Sequence, residues 1–126
     1  MVSSLKVVDQ GEVQPVNLDR YSGEVEVRSL RASANPLDPD LLRVHYEPGS
    51  VTNWHTHPGG QYIYVLQNSV LICNDGGEMN EVVEGSLVVV QPGERHWHGA
   101  TDNSTADILT ISFGVTRWEE NHGGNH

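Results

Sequence analysis

Between residues 40 and 115 the chain runs in short apolar stretches rich in Val, Ile, Leu and Tyr, cut by Gly, Pro, Asn or Asp about every ten residues. Stretches that short do not make helices. They match the strands of a small antiparallel barrel or sandwich. The candidate strands are residues 25–31, 41–46, 52–57, 61–67, 70–73, 79–83, 87–90, 96–99 and 107–115. Turns between them carry residues suited to fixed or positive φ, as in Glu47-Pro48-Gly49-Ser50, Pro58-Gly59-Gly60, Asn74-Asp75-Gly76-Gly77, Glu84-Gly85-Ser86 and Gln91-Pro92-Gly93-Glu94. The stretch 35–40 holds two prolines and reads as a loop. The first 24 residues read as an edge strand with a loop. The polar, Gly-rich tail 119–126 is expected to fray.

At 126 residues the chain reads as one domain, with its barrel core at about 40–115, an N-terminal edge segment 1–39 and the tail. Lys and Arg number 7 against 17 Asp and Glu, a formal net charge of −10. That balance argues against nucleic acid and anionic membrane as partners. No apolar run approaches the ~20 residues of a membrane helix, and the N-terminus lacks the apolar stretch of a signal peptide. A single cysteine, Cys73, excludes an intrachain disulfide and any multi-cysteine metal site. Cys73 lies in an apolar strand and reads as a small buried hydrophobe. A cytoplasmic location is the default expectation.

Four of the seven histidines form two His-x-His pairs, His55-Thr56-His57 and His96-Trp97-His98. On a strand, side chains two apart share a face, so each pair can aim both imidazoles at one point. Rigid backbone then supplies two metal ligands at once. After the turn at 58–60 comes Gln61, a neutral oxygen ligand suited to Mn²⁺ or Fe²⁺. A barrel brings the two pairs together in its lumen. A lone histidine is usually a surface or satisfied core residue, but two framed pairs together point to a metal. His45 reads as structural, and His122 and His126 as solvated tail residues. Arg95 and Glu94 read as solvated turn residues. By alternation Tyr62 and Tyr64 face away from Gln61, and Trp54 and Trp97 pack between sheets. Leu42, Val44, Ile63 and Val65 are in phase with the ligands and are expected to line an apolar substrate pocket.

The motifs resemble those of the cupin superfamily. Its first motif, G-x5-H-x-H-x3-E-x6-G, is matched by Gly49, His55 and His57. Gln61 stands where the usual carboxylate does, and Asn68 replaces the closing glycine. Asn tolerates the same left-handed backbone. The second motif, G-x5-P-x-G-x2-H-x3-N, is matched by Gly85, Gly93 and His96. Gln91 replaces its first proline and Ala100 its asparagine. The resemblance implies an all-β double-stranded β-helix, or jelly-roll, barrel with one divalent metal per chain held by His55, His57, Gln61 and His96. Mn or Fe is favoured, with Zn, Ni or Co as alternatives. The strings around both motifs resemble a group of small bacterial cupins that includes manganese-dependent hydroxynitrile lyases. Those lyases carry a further pocket histidine near the place of Ile108, and here no histidine lies between His98 and His122.

A site with four neutral ligands keeps the full charge of its metal. It therefore favours anionic ligands and acidifies bound water. The expected function is a small-molecule enzyme using Lewis-acid or acid–base chemistry of lyase, isomerase or decarboxylase type. A metal-dependent dioxygenase and a non-catalytic ligand-binding cupin are the alternatives. His98 is expected to act as a general base, as a partner behind the ligands, or only as a histidine at the barrel mouth. Resemblance and the apolar residues on outward strand faces point to a homodimer.

Overall fold

In the computed structural model, residues 5–35 and 37–124 are described, and they form a curled antiparallel β-sheet of eleven strands with no helix. Two short strands, β1 (Glu12–Gln14) and β2 (Tyr21–Ser22), precede β3 (Val25–Arg31), β4 (Asp40–Tyr46) and β5 (Val51–Thr56). Next comes the long β6 (Gln61–Asn74), then β7 (Met79–Val83), β8 (Leu87–Val90), β9 (His96–Ala100), β10 (Ala106–Ser112) and β11 (Arg117–His122). The strand order is β1-β3-β4-β10-β6-β9-β5-β11. In addition, β2 pairs with β5, and both β7 and β8 pair with β6. The fold is the expected all-β jelly-roll.

Residues 61–67 and 70–73, expected as two strands, are one strand bent at Asn68, which adopts φ 62°. Asn fills the glycine position of the first motif because its short polar side chain tolerates that backbone. Across the bend β6 changes partners. Its first half pairs with β8 and β10, its second with β7 and β9. The register slips between Asp107 and Ile108 opposite the bend. This one strand therefore ties both walls of the barrel together.

Inward residues fill the core. Val27, Val44, Tyr46, Ile63, Val65, Val70, Ile108 and their neighbours form its main cluster. Trp97 packs with Val51, Cys73, Trp54 and Leu71 in a second, smaller cluster. Cys73 is buried. Tyr62, Tyr64, Leu66, Leu87 and Val89 are exposed on the outward face of β6 and β8, the surface behind the homodimer expectation.

Close backbone approach sets the site. A side chain at Gly99 would collide with Ser50 O and the Val51 backbone, so only glycine lets β9 lie this near β5. His55 and His96 are direct cross-strand partners. Between Val51 and His55 the register shifts, which brings Thr52 into the same cavity as His55.

The tail does not fray through residue 122. Residues 117–122 form β11, which pairs with β5. The cause is side-chain anchoring. Asn53 Nδ2 donates to Glu119 O, His122 Nδ1 lies 2.6 Å from Asn53 Oδ1, and Arg95 grips Glu119 through two nitrogens. His122 is thus a half-buried anchor rather than a solvated residue, while His126 lies outside the described residues.

Candidate metal centre

Inside the barrel, a cavity of about 50 Å³ is lined by His55, His57, Gln61 and His98, with Leu42, Val44, Tyr46, Thr52, Thr110, Ser112, Thr116, Tyr21 and Trp118. His96 adjoins it, its Nε2 lying 3.0 Å from Gln61 Oε1. The four imidazoles pack edge to face or tilted, with ring centroids from 4.3 Å (His55–His96) to 5.5 Å (His96–His98). Ligand atoms of His55, His96 and His98 lie within 4.8 Å of one another, a grouping that takes in His98 and leaves out the expected ligand His57. All four rings and Gln61 are buried.

Every Nδ1 is anchored. His55 Nδ1–H donates to Asn53 O at 2.8 Å, and His96 Nδ1–H to Glu94 O at 3.0 Å. Carbonyl oxygens only accept, so these two rings must carry their proton on Nδ1 and, when neutral, a lone pair on Nε2. Thr116 Oγ1 lies 3.0 Å from His57 Nδ1, and Tyr46 Oη lies 2.9 Å from His98 Nδ1. The Nε2 atoms of His57 and His98 are buried without any hydrogen-bond partner among the described residues.

Gln61 is oriented from outside. Its Nε2 donates to Ser112 Oγ at 2.9 Å, which turns Oε1 towards His96. Two lone-pair atoms then face each other at 3.0 Å with no proton between them. In this amide orientation the contact is repulsive, and a cation beside both atoms relieves it. Two donors at right angles on one ion, each ~2.1 Å away, are about 3 Å apart. The donor set therefore fits a divalent cation.

Electrostatics agree. Burial, then the neighbouring imidazoles, pulls His55 and His98 well below the usual histidine range. Burial, then His96, lowers His57 to about 4. Burial also lowers His96, against the pull of its bond to Glu94. Neutral imidazole is the form a metal needs. Among the described residues no carboxylate lines the cavity.

The other expectations divide. Leu42 and Val44 line the cavity. Ile63 and Val65 do not; they share the inward face of β6 but lie deeper along it, fully buried in the core. Ile108 is likewise fully buried. Arg95 and Glu94 are not idle turn residues. Arg95 bonds Glu119 and Asp75 and lies 4.0 Å over Trp54, and Glu94 supplies the carbonyl that anchors His96. His45 is structural, bridging Asp107 and Glu47 beside a charged outer depression of about 250 Å³. Sequence reasoning missed Tyr46, Thr116, Ser112, Trp118 and the Asn53 and Glu94 carbonyls. Only the two carbonyls, each two residues before its histidine, had a local signal.

The cupin domain profile matches residues 42–112, more than half of the chain. The chain belongs to the cupin family. A curated relative, (R)-mandelonitrile lyase of Granulicella tundricola, is 36% identical over 93 residues, which is 74% of this chain and 71% of the relative. Among solved structures, a cupin-like protein of Thermotoga maritima superposes with TM-score 0.80 at 27% identity, covering 92% of this chain and 90% of that one. The polyketide cyclase RemF of Streptomyces resistomycificus follows the same fold with TM-score 0.75 at 23% identity, covering 91% and 85%. The cupin fold, a lyase relative and the histidine cluster together support a cupin-type enzyme or metal-binding site.

Proposed function

We propose that this cupin is a metal-dependent enzyme acting on a small oxygenated compound by Lewis-acid and acid–base chemistry of lyase type. His55, His57, Gln61 and His96 are its ligand set. The observation that carries this reading is the paired anchoring of the site. Backbone carbonyls fix the tautomers of His55 and His96, and Ser112 turns the Gln61 oxygen to meet His96 Nε2 at 3.0 Å. Such fixed ligand tautomers are what metal sites require of the groups behind them. Bound there, a divalent cation with four neutral donors would polarise a carbonyl or hydroxyl oxygen and favour its anionic form.

The chain's own residues do the rest. Leu42, Val44 and Trp118 give the cavity apolar walls, and Thr52, Thr110 and Thr116 give it hydroxyls. At about 50 Å³ it admits a substrate of a few heavy atoms, since an apolar cavity that binds benzene measures ~150 Å³. The relative named a mandelonitrile lyase supports a lyase reaction. The buried Ile108 argues for a substrate other than that relative's, because it brings no polar group to the cavity.

The test is metal content after purification without chelator or metal-affinity resin. About one equivalent per chain is expected, with most of it lost in His55→Ala and in His96→Ala. Full retention in both variants would overturn the ligand set. Metal-dependent O₂ consumption with a candidate substrate would move the chemistry to the dioxygenase reading.

A further inference from the structure

His98 differs from the other imidazoles in what its Nδ1 meets. His55 and His96 face carbonyl oxygens, which can only accept. His98 faces the phenol of Tyr46 at 2.9 Å, which can donate. Tyr46 is 0% exposed, and His98 Nδ1 is the sole partner of its hydroxyl among the described residues. The backbone N–H of His98 is held separately by Thr52 Oγ1 at 3.1 Å.

Two proton arrangements satisfy that contact. If Nδ1–H donated to the phenol oxygen, the phenol proton would be buried without an acceptor, and Nε2 would hold an unused lone pair. If the phenol donates to Nδ1, both atoms are satisfied. The ring proton then sits on Nε2, which has no partner and belongs to a ring that lines the cavity. The first arrangement strands two polar groups and the second strands one. Buried polar groups left unpaired are costly, so the second is favoured.

We propose that Tyr46 is a positioning residue that locks His98 with its proton on Nε2, making His98 a hydrogen-bond donor to the substrate rather than a metal ligand or a general base. A protonated Nε2 has no lone pair for a cation or for an incoming proton. It is instead a fixed N–H on a ring that lines the cavity, available to an acceptor atom of a bound substrate. The substrate class follows: a small compound with two acceptor atoms, one for the cation and a neighbouring oxygen or nitrogen for the His98 N–H. This substrate assignment rests on the metal-site reading above, whereas the tautomer of His98 does not.

The test is nitrogen NMR of ¹⁵N-histidine-labelled protein, metal-free and zinc-loaded, with the His98 signals assigned by His98→Gln. In both forms His98 is expected to carry its proton on Nε2, opposite to His55 and His96. Tyr46→Phe removes the donor, and His98 is then expected to shift towards the Nδ1–H form. Acetate added to the zinc-loaded protein is expected to move the His98 Nε2–H resonance. A wild-type His98 protonated on Nδ1, an unchanged tautomer in Tyr46→Phe, or no response to acetate at full zinc loading would each overturn the proposal. If the variant gives no dispersed spectrum, the wild-type tautomer decides alone. Zinc content, measured on the same samples, tests the ligand set independently.

Discussion

Trp118 lies against His55, with ring centroids 4.5 Å apart and planes inclined by 33°. The two are cross-strand partners between β11 and β5. On its other sides Trp118 meets Tyr21, with centroids 5.6 Å apart, and the Arg20 guanidinium at 5.5 Å. The C-terminal strand thus closes the cavity over a candidate ligand. Removing the ring admits water and frees the His55 imidazole to turn. Trp118→Ala is expected to weaken metal binding about tenfold, the lower end of what the groups behind metal ligands contribute. Competition with a chelating dye measures it. Unchanged affinity would show that the ring is only a packing residue.

Ser112 offers a finer test. Its hydroxyl accepts from Gln61 Nε2 and so fixes which end of the amide faces His96. Ser112→Ala leaves that nitrogen without its acceptor and lets the amide rotate. A loss of metal affinity on the order of tenfold is expected, with little change in thermal stability of the metal-free protein. Ser112→Thr keeps the hydroxyl and is expected to recover part of the loss. If Ser112→Ala and wild type bind metal equally, Gln61 is not a ligand held in this way.

Much of the barrel could be read from the chain because strand and turn signals are local. Alternation along β6 separated buried Gln61 and Ile63 from exposed Tyr62 and Tyr64, and Asn68 marked the bend. The inward histidines were legible for the same reason, since each pair lies on one strand. The anchors of His57 and His98 were not. Tyr46 meets His98 across 52 positions and Thr116 meets His57 across 59, contacts that exist only once strand order and register are set. The fate of the tail was hidden likewise, because Gly123 and Gly124 suggested fraying while Asn53 and Arg95, far upstream, hold β11 down. Ile63 and Val65 show a third limit: alternation gives the face of a strand but not the depth at which a cavity ends.

Acid should unfold the metal-free protein through the same imidazoles. His57, lowered to about 4 by burial, takes up its proton near 6.5 once unfolded. Between those values the unfolded chain binds more protons, so stability falls with falling pH and is fully present above about 6.5. His57 alone accounts for on the order of 3 kcal/mol across that window. His55, His96 and His98 are lowered too and act in the same direction. His45 acts in the opposite sense. Burial works against its protonation, but its bonds to Glu47 and Asp107 outweigh that and raise it. Its contribution is present below about 6.5 and is lost as pH rises through the folded value. Its side chain is 37% exposed, so that contribution is small. Urea midpoints of chelator-treated protein should therefore hold nearly level from pH 7.5 down to about 6.5 and fall from there to pH 4.5. A flat profile would contradict the burial of neutral imidazoles.

Cavity size makes the last prediction. Leu42 is half-buried on β4 and forms part of the apolar wall. Leu42→Ala should roughly double the free volume at a cost of about 1–2 kcal/mol, below the fully buried range because the residue is partly exposed. In zinc-loaded wild type, acetate is expected to bind and isobutyrate to be excluded, since the cavity of about 50 Å³ holds only a few heavy atoms. In Leu42→Ala the preference should narrow by at least tenfold, mostly through gained isobutyrate binding, because the new volume is apolar and matches the added branched chain. Calorimetric titration of both acids into both proteins gives the ratio. Isobutyrate binding to wild type as tightly as acetate would mean that the walls part on binding, and that Leu42 does not set the size of what the site accepts.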